Sequence, residues 1–309
     1  MKTLLEGTAA YRTLSNDAAK GRLSHAYMLF FNDAKNLRYA LKLFALRLFN
    51  LFEESADGKR VMKETHPDCL VYPAEGKKLT ADAVSELLGE SVMRPVERDK
   101  KVFLVNFDDA SALVQNKLLK TLEEPPAGVY FILGVTTVAP VLDTVKSRVK
   151  TLTVPPFSSE EILSALIRKG SNPLNKNAAE SCGGIFGVAE NMVGGGWFEE
   201  TVRAAKEICT AKTAGDAGII ALKYGDTKRK TELLTEAGLL YHNALGEKIR
   251  GEKQGAVARA WLTPTLVYAA ESIDKACSDL KFNAFFQGLL YDLMLRIIEE
   301  NDKWLKLQA

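Results

Sequence analysis

A parallel α/β domain followed by two helical regions is the fold class this sequence predicts, and three observations predict it. Strand-like and helical runs alternate over the first half, the pair Pro155-Pro156 ends that alternation, and only helical periodicity follows.

The strand-like runs are Ala26–Phe31, Cys69–Tyr72, Lys101–Val105, Val129–Val135 and Thr151–Val154, each followed by polar or helical sequence. Between them, Ala34–Phe52 and Thr80–Met93 carry apolar residues at helical spacing. Ser111–Leu122 does the same before Pro125 and Pro126 stop it. Strands alternating with helices imply a parallel sheet, so residues 1–154 are expected to form one α/β domain. After Pro156, Ser158 or Ser159 with Glu161 makes a helix start, which opens a small helical domain over residues 155–196. Gly194, Gly195 and Gly196 supply the backbone freedom of a hinge, and the second boundary is expected there. From Trp197 to Ala309 the apolar residues form helical stripes: Leu262, Leu266, Ala269, Ala270 and Ile273, then Leu289, Leu293 and Ile297. Such stripes are the core of a helical bundle far more often than a cofactor site.

Composition excludes several function classes. Hydrophobic residues at 47% and charged residues at 26% describe a folded chain rather than a disordered one. A net charge of +2 provides no global field drawing the chain onto DNA, so nucleic-acid contact is expected to be local or shared with partners. Cys69, Cys182, Cys209 and Cys277 lie far apart without a C-x-x-C pair, which indicates neither a zinc site nor a disulfide framework. The first residues lack the pattern of a signal peptide, and no apolar run reaches the roughly 18 residues of a membrane span. A reducing cytoplasm is the expected location.

The most specific segment is Asn116 to Pro126, NKLLKTLEEPP, preceded by the strand Lys101–Val105. Leu118, Leu119 and Leu122 would pack one helix face on the sheet while Lys120, Glu123 and Glu124 stay polar before the double proline. This run resembles the N-A-L-L-K-T-L-E-E-P-P segment shared by the gamma/tau and delta-prime subunits of bacterial DNA polymerase III clamp loaders, members of the AAA+ family. Leu23-Ser24-His25-Ala26-Tyr27 is similar to the family's L-x-H-A-Y, and His66-Pro67-Asp68 to its H-P-D. Taken alone, His25 and His66 read as structural histidines, since neither has neighbours at metal-ligand or triad spacing.

The resemblance implies an AAA+ domain, a small helical domain and an all-α collar domain. In a working nucleotide site of this family the loop after His-Ala-Tyr reads G-x-x-x-x-G-K-[ST], whose amides, lysine and hydroxyl serve phosphate and magnesium. Counted from Tyr27, Phe31, Asn36, Leu37 and Arg38 occupy those four positions, so neither glycine nor the lysine is present. Lys35 reads as a solvated charge. Asn106-Phe107-Asp108-Asp109 follows the third strand where an active enzyme has Asp-Glu, and a polar turn is the favoured reading of Asp108 and Asp109. No arginine occurs from Gly170 to Thr201, where active members carry a nucleotide-sensing arginine near a glycine-rich turn. No cysteine occurs from Phe49 to Thr65, where many members have a zinc module. No bound cofactor or metal is therefore expected.

One catalytic feature of the family is retained. Thr144-Val145-Lys146-Ser147-Arg148-Val149 resembles its T-x-x-S-R-C, whose arginine reaches the ATP of a neighbouring subunit. Leu280-Lys281-Phe282-Asn283-Ala284 with Leu289, Leu290 and Leu293 resembles a pattern of the family's last domain. The resemblance thus implies a delta-prime type subunit without ATPase activity of its own, donating Arg148, with Ser147 beside it, to a neighbour. Its implied partners are gamma/tau and delta subunits, with the sliding clamp and primer-template DNA met through the complex. The alternative is an active gamma-type ATPase with a divergent phosphate loop.

Overall fold

The structure, a computed structural model, describes residues 1–280 and 285–308. It divides into two compact units, Met1–Ala165 with Gly184–Val188, and Leu166–Gly183 with Ala189–Ala309.

The first unit begins with helices α1 (Lys2–Glu6) and α2 (Ala9–Ala19), followed by β1 (Ala26–Phe31) and α3 (Ala34–Leu48). Then come α4 (Ala56–Met62), β2 (Cys69–Tyr72), α5 (Ala81–Ser91), β3 (Lys101–Asn106), α6 (Ala112–Glu123), β4 (Val129–Val135), α7 (Asp143–Lys146) and β5 (Lys150–Val154). The five strands form one sheet in the order β2-β3-β4-β1-β5, and every adjacent pair is parallel. This is the α/β sheet that the alternating pattern predicts.

Side chains alternate across the sheet with the period of two that strands impose. Ala26, Met28, Phe103, Val105, Phe131 and Leu133 face Val84 and Leu87 of α5 and Val114, Leu118 and Leu122 of α6, all buried in one cluster. The rings of Phe103 and Phe131 stack with centroids 5.3 Å apart. On the opposite face α3 lies against Gly134 of β4, where a Cβ would come within 2.9 Å of Leu41 Cδ1. Glycine lets the helix sit that close to the strand.

The end of α3 differs from the Ala34–Phe52 periodicity, and the backbone explains why. Asn50 takes the left-handed conformation at φ 52°, and the Leu51 amide donates to the Leu46 carbonyl at 2.8 Å. That pairing closes a helix whatever apolar residues follow it. The helix start after the double proline is a capping box: Glu161 N–H donates to Ser158 Oγ at 3.3 Å, and Ser158 N–H donates to Glu161 Oε2 at 2.9 Å. The helix it opens is α8 (Ser159–Lys169).

The remaining helices are α9 (Asn175–Ser181), α10 (Phe186–Gly194), α11 (Gly196–Thr210), α12 (Ala214–Tyr224), α13 (Lys230–Arg250), α14 (Ala256–Ala260), α15 (Thr263–Asp279) and α16 (Phe286–Gln308). Gly195 stands in extended conformation between α10 and α11, where the glycine triplet falls. The core of the second unit gathers Ile208, Leu234, Tyr241, Leu266, Ile273, Phe286, Leu290 and Ile297 from α11, α13, α15 and α16. Within this unit Glu236 of α13 is buried, and it accepts hydrogen bonds from Asn177 at 2.7 Å and from Ser181, both on α9. Burial pushes its carboxyl above the usual range, and the two hydrogen bonds oppose that shift. Lys281, Phe282, Asn283 and Ala284 of the predicted C-terminal pattern lie outside the described residues. Among the described residues no helix is long and apolar enough to cross a membrane.

Candidate functional site

The β1–α3 connection is capped by the chain's own carboxylate. A helix N-terminus presents unpaired amides and a positive dipole end, which makes it an anion site. At α3 the anion is Asp33, only 1% exposed. It accepts the Asn36 amide at 3.2 Å, the Asn36 side-chain N–H at 2.9 Å and the Gly187 amide at 2.8 Å. A Cβ on Gly187 would stand 2.3 Å from Asp33 Oδ1, so this approach needs glycine.

The four residues counted at the expected phosphate-loop positions have partners of their own. Phe31 is buried at 3% exposure and meets Phe157 edge to face, with centroids 6.2 Å apart. Leu37 is buried at 1% exposure, with its Cδ1 methyl close to Gly134. Arg38 pairs with Glu64, donating from Nε at 2.7 Å, and also donates to the Pro73 carbonyl at 2.8 Å. Asn36 alone of the four serves the helix start, and it serves it toward Asp33.

Asp108 and Asp109 form a turn after β3. Asp108 Oδ1 accepts from the amide and hydroxyl of Thr136 at 2.8 and 3.1 Å, and Asp109 has a left-handed backbone at φ 60°. The H-P-D segment holds a loop. Asp68 is fully buried and accepts the amides of Val96, Glu97 and Arg98 at 2.6, 2.8 and 2.8 Å. His66 Nδ1 accepts the Asp68 amide at 3.1 Å.

Asp57, His66 and Glu97 bring potential ligand atoms within 4.8 Å of one another, but their chemistry does not suit a cation. Arg60 already takes Glu97 through both terminal nitrogens at 2.6 and 2.8 Å, and Asp57 pairs with Arg60 and Arg98. Burial, with the Arg60 charge, holds the His66 imidazole below its ordinary value, and a ring whose Nδ1 accepts a hydrogen bond is neutral. Since Nδ1 accepts a hydrogen bond, the proton of that neutral ring sits on Nε2, which is then no ligand.

Arg148 lies in a second place, an open cleft of about 470 Å³ lined by His25, Leu122, Glu123, Ser147 and Arg148. It follows Ser147, the residue that caps the end of α7. Its Nε donates to Glu123 Oε1 at 2.7 Å and Nη2 donates to the same oxygen, while Nη1 donates to the Thr144 carbonyl at 2.7 Å and to Ser147 Oγ at 3.1 Å. His25 Nε2 donates to the Leu122 carbonyl at 2.7 Å, tying the end of α6 to the lead-in of β1. The geometry therefore joins three separate sequence segments, at His25, Glu123 and Ser147-Arg148, around one guanidinium.

Sequence reasoning left Asp33, Glu123 and the shared place of His25 unassigned. For Asp33 a local signal existed, because an Asp immediately before an apolar-periodic run is an N-cap pattern. For the others the partners lie far along the chain: Glu123 is 25 residues from Arg148, and His25 is 97 residues from Leu122.

Residues 7–158 match the family described as DNA polymerase III, delta subunit. The chain is 29% identical over 169 residues to the DNA polymerase III subunit delta' of Bacillus subtilis, covering 52% of this chain and 51% of that protein. It is 31% identical over 150 residues to the subunit delta' of Yersinia pestis, covering 45% and 44%. It thus spans about half the length of these relatives. A DNA polymerase III gamma subunit-related protein from Thermotoga maritima is similar in structure at a TM-score of 0.41 and 15% identity, over 93% of this chain and 98% of that one.

Proposed function

We propose, for a chain that over residues 7–158 belongs to the DNA polymerase III delta subunit family, that it works as a delta-prime type clamp-loader subunit without ATP hydrolysis of its own. One observation carries this reading. The helix start that would hold a phosphate is capped by the buried carboxylate of Asp33, whereas Arg148 stands at an open cleft. A subunit arranged in this way offers a charge to a neighbour's nucleotide and takes none itself.

In the proposed assembly, gamma/tau subunits supply ATP and a delta subunit completes the set. The sliding clamp and primed DNA are met through the complex, in the cytoplasm. The Arg148 guanidinium reaches the γ-phosphate bound by the adjacent subunit. Its planar charge stabilises the negative charge that spreads over the equatorial oxygens during phosphoryl transfer. Ser147 supports the guanidinium from its own chain. Residues 155–196 act as the small helical domain, and residues 197–309 act as the collar that holds the subunits together.

The test is capture of the tagged full chain from its native cell, with the bound proteins identified by mass spectrometry. Gamma/tau and delta subunits are expected together at comparable amounts. Recovery of the chain with neither of them overturns the reading.

A further inference from the structure

We infer that Glu123 is a latch on Arg148, released when a phosphate takes the carboxylate's place; this rests on the arginine-donor reading above. A guanidinium carries five N–H groups. In this chain one on Nε and one on Nη2 go to Glu123, and two on Nη1 go to the Thr144 carbonyl and Ser147 Oγ. Four are committed within the chain, and one remains.

Bidentate recognition of a phosphate needs two parallel N–H groups on one edge of the fork. The edge formed by Nε and Nη2 is such a pair, and Glu123 holds it. Releasing Glu123 frees both donors together, while Nη1 stays anchored to Thr144 and Ser147 and keeps the guanidinium plane in place. Releasing Nη1 instead would detach the side chain from its own turn and leave the useful edge covered. The carboxylate is therefore the partner that exchanges.

The surroundings favour that exchange. Glu123 is the last residue of α6, whose Leu118 and Leu122 are buried and whose Leu122 carbonyl is fixed by His25. The backbone stays put and the side chain alone has to swing. The two side chains are 30% and 48% exposed, so water can receive the released carboxylate. Until the exchange, Glu123 cancels the Arg148 charge, and the cleft attracts weak anions poorly. A phosphate carrying more negative charge than a carboxylate competes for the edge.

The test uses the full chain and phenylglyoxal, which modifies arginines, with the rate at Arg148 read by peptide mass spectrometry. Glu123→Gln should speed modification of Arg148 about two- to fivefold, the range that an exposed ion pair corresponds to. Arg12, an exposed arginine on α2, provides the internal reference and should react at the same rate in both proteins. Equal rates at Arg148 overturn the latch. In an assembly reconstituted with gamma/tau and delta subunits, Glu123→Gln should also lower the ATP concentration needed for half-maximal turnover, and an unchanged or higher concentration counts against the latch. The donor reading has its own arm. Wild-type turnover for Arg148→Ala removes that reading, whereas a normal loss there with equal modification rates removes the latch alone.

Discussion

Arg148→Ala should leave the chain folded and able to assemble while lowering the DNA-stimulated ATP turnover of the reconstituted complex. An arginine supplied to a neighbour's nucleotide is worth roughly 10³–10⁵ in rate in GTPase systems. A complex with several ATP sites would lose this arginine at one of them, so turnover falls in part, and clamp loading falls with it. The fold should tolerate the change, because the Arg148–Glu123 pair is partly exposed and such pairs contribute about 0–1 kcal/mol. Arg148→Lys should rescue poorly, since an ammonium keeps the charge but loses the fork that meets phosphate oxygens. Steady-state turnover and clamp-loading rates of the assembly check this. Wild-type rates for Arg148→Ala would leave the chain as scaffold only.

The second large effect is on stability, and it lies at Asp33. Replacing it with alanine removes the acceptor of the Asn36 amide, the Asn36 side chain and the Gly187 amide at a position 1% exposed to solvent. Loss of an N-cap costs about 0.5–2 kcal/mol, and a hydrogen bond to a charged group contributes about 1.5–3 kcal/mol. Together these put Asp33→Ala about 3 kcal/mol below wild type. Asp33→Asn should lose less, because asparagine caps helices nearly as well as aspartate. Urea unfolding followed by circular dichroism gives the measurement. Equal midpoints for Asp33→Ala and wild type would contradict the capping account.

Much of the fold is legible in the sequence, because it depends on local periodicity. Cys69–Tyr72 and Val129–Val135 are alternating or apolar runs bounded by turn residues, and the structure places β2 and β4 over those same ranges. Lys101–Val105 is one residue short because Asn106, though polar, still pairs with Gly134 across the sheet. The end of α3 is less legible, since Asn50 decides it through a left-handed backbone while the apolar pattern continues to Phe52.

The candidate site divides along the same physical line. Ser147-Arg148 stands out through its neighbours in sequence, whereas its partner Glu123 comes from α6 and is found only when the chain has folded. Asp68 shows the same limit. Its residue type is visible within His66-Pro67-Asp68, but the three amides that it accepts belong to Val96, Glu97 and Arg98, 28 to 30 residues further along the chain. The departures at Phe31 and Leu37 are readable as missing phosphate chemistry. What fills the resulting space is not readable there, because Gly187 approaches Asp33 across 154 residues of chain.

Titration calorimetry of the intact chain with ATP and magnesium tests the central claim most directly. The claim is that the helix start in the first unit is capped by Asp33, whose buried carboxylate disfavours a phosphate there. The account predicts no heat of binding up to millimolar nucleotide, for wild type and for Phe31→Gly alike, because the buried Asp33 carboxylate still caps the helix start. Magnesium-dependent association at micromolar nucleotide, abolished by substitutions within Ala34–Arg38, would contradict it and return the chain to the active ATPase reading.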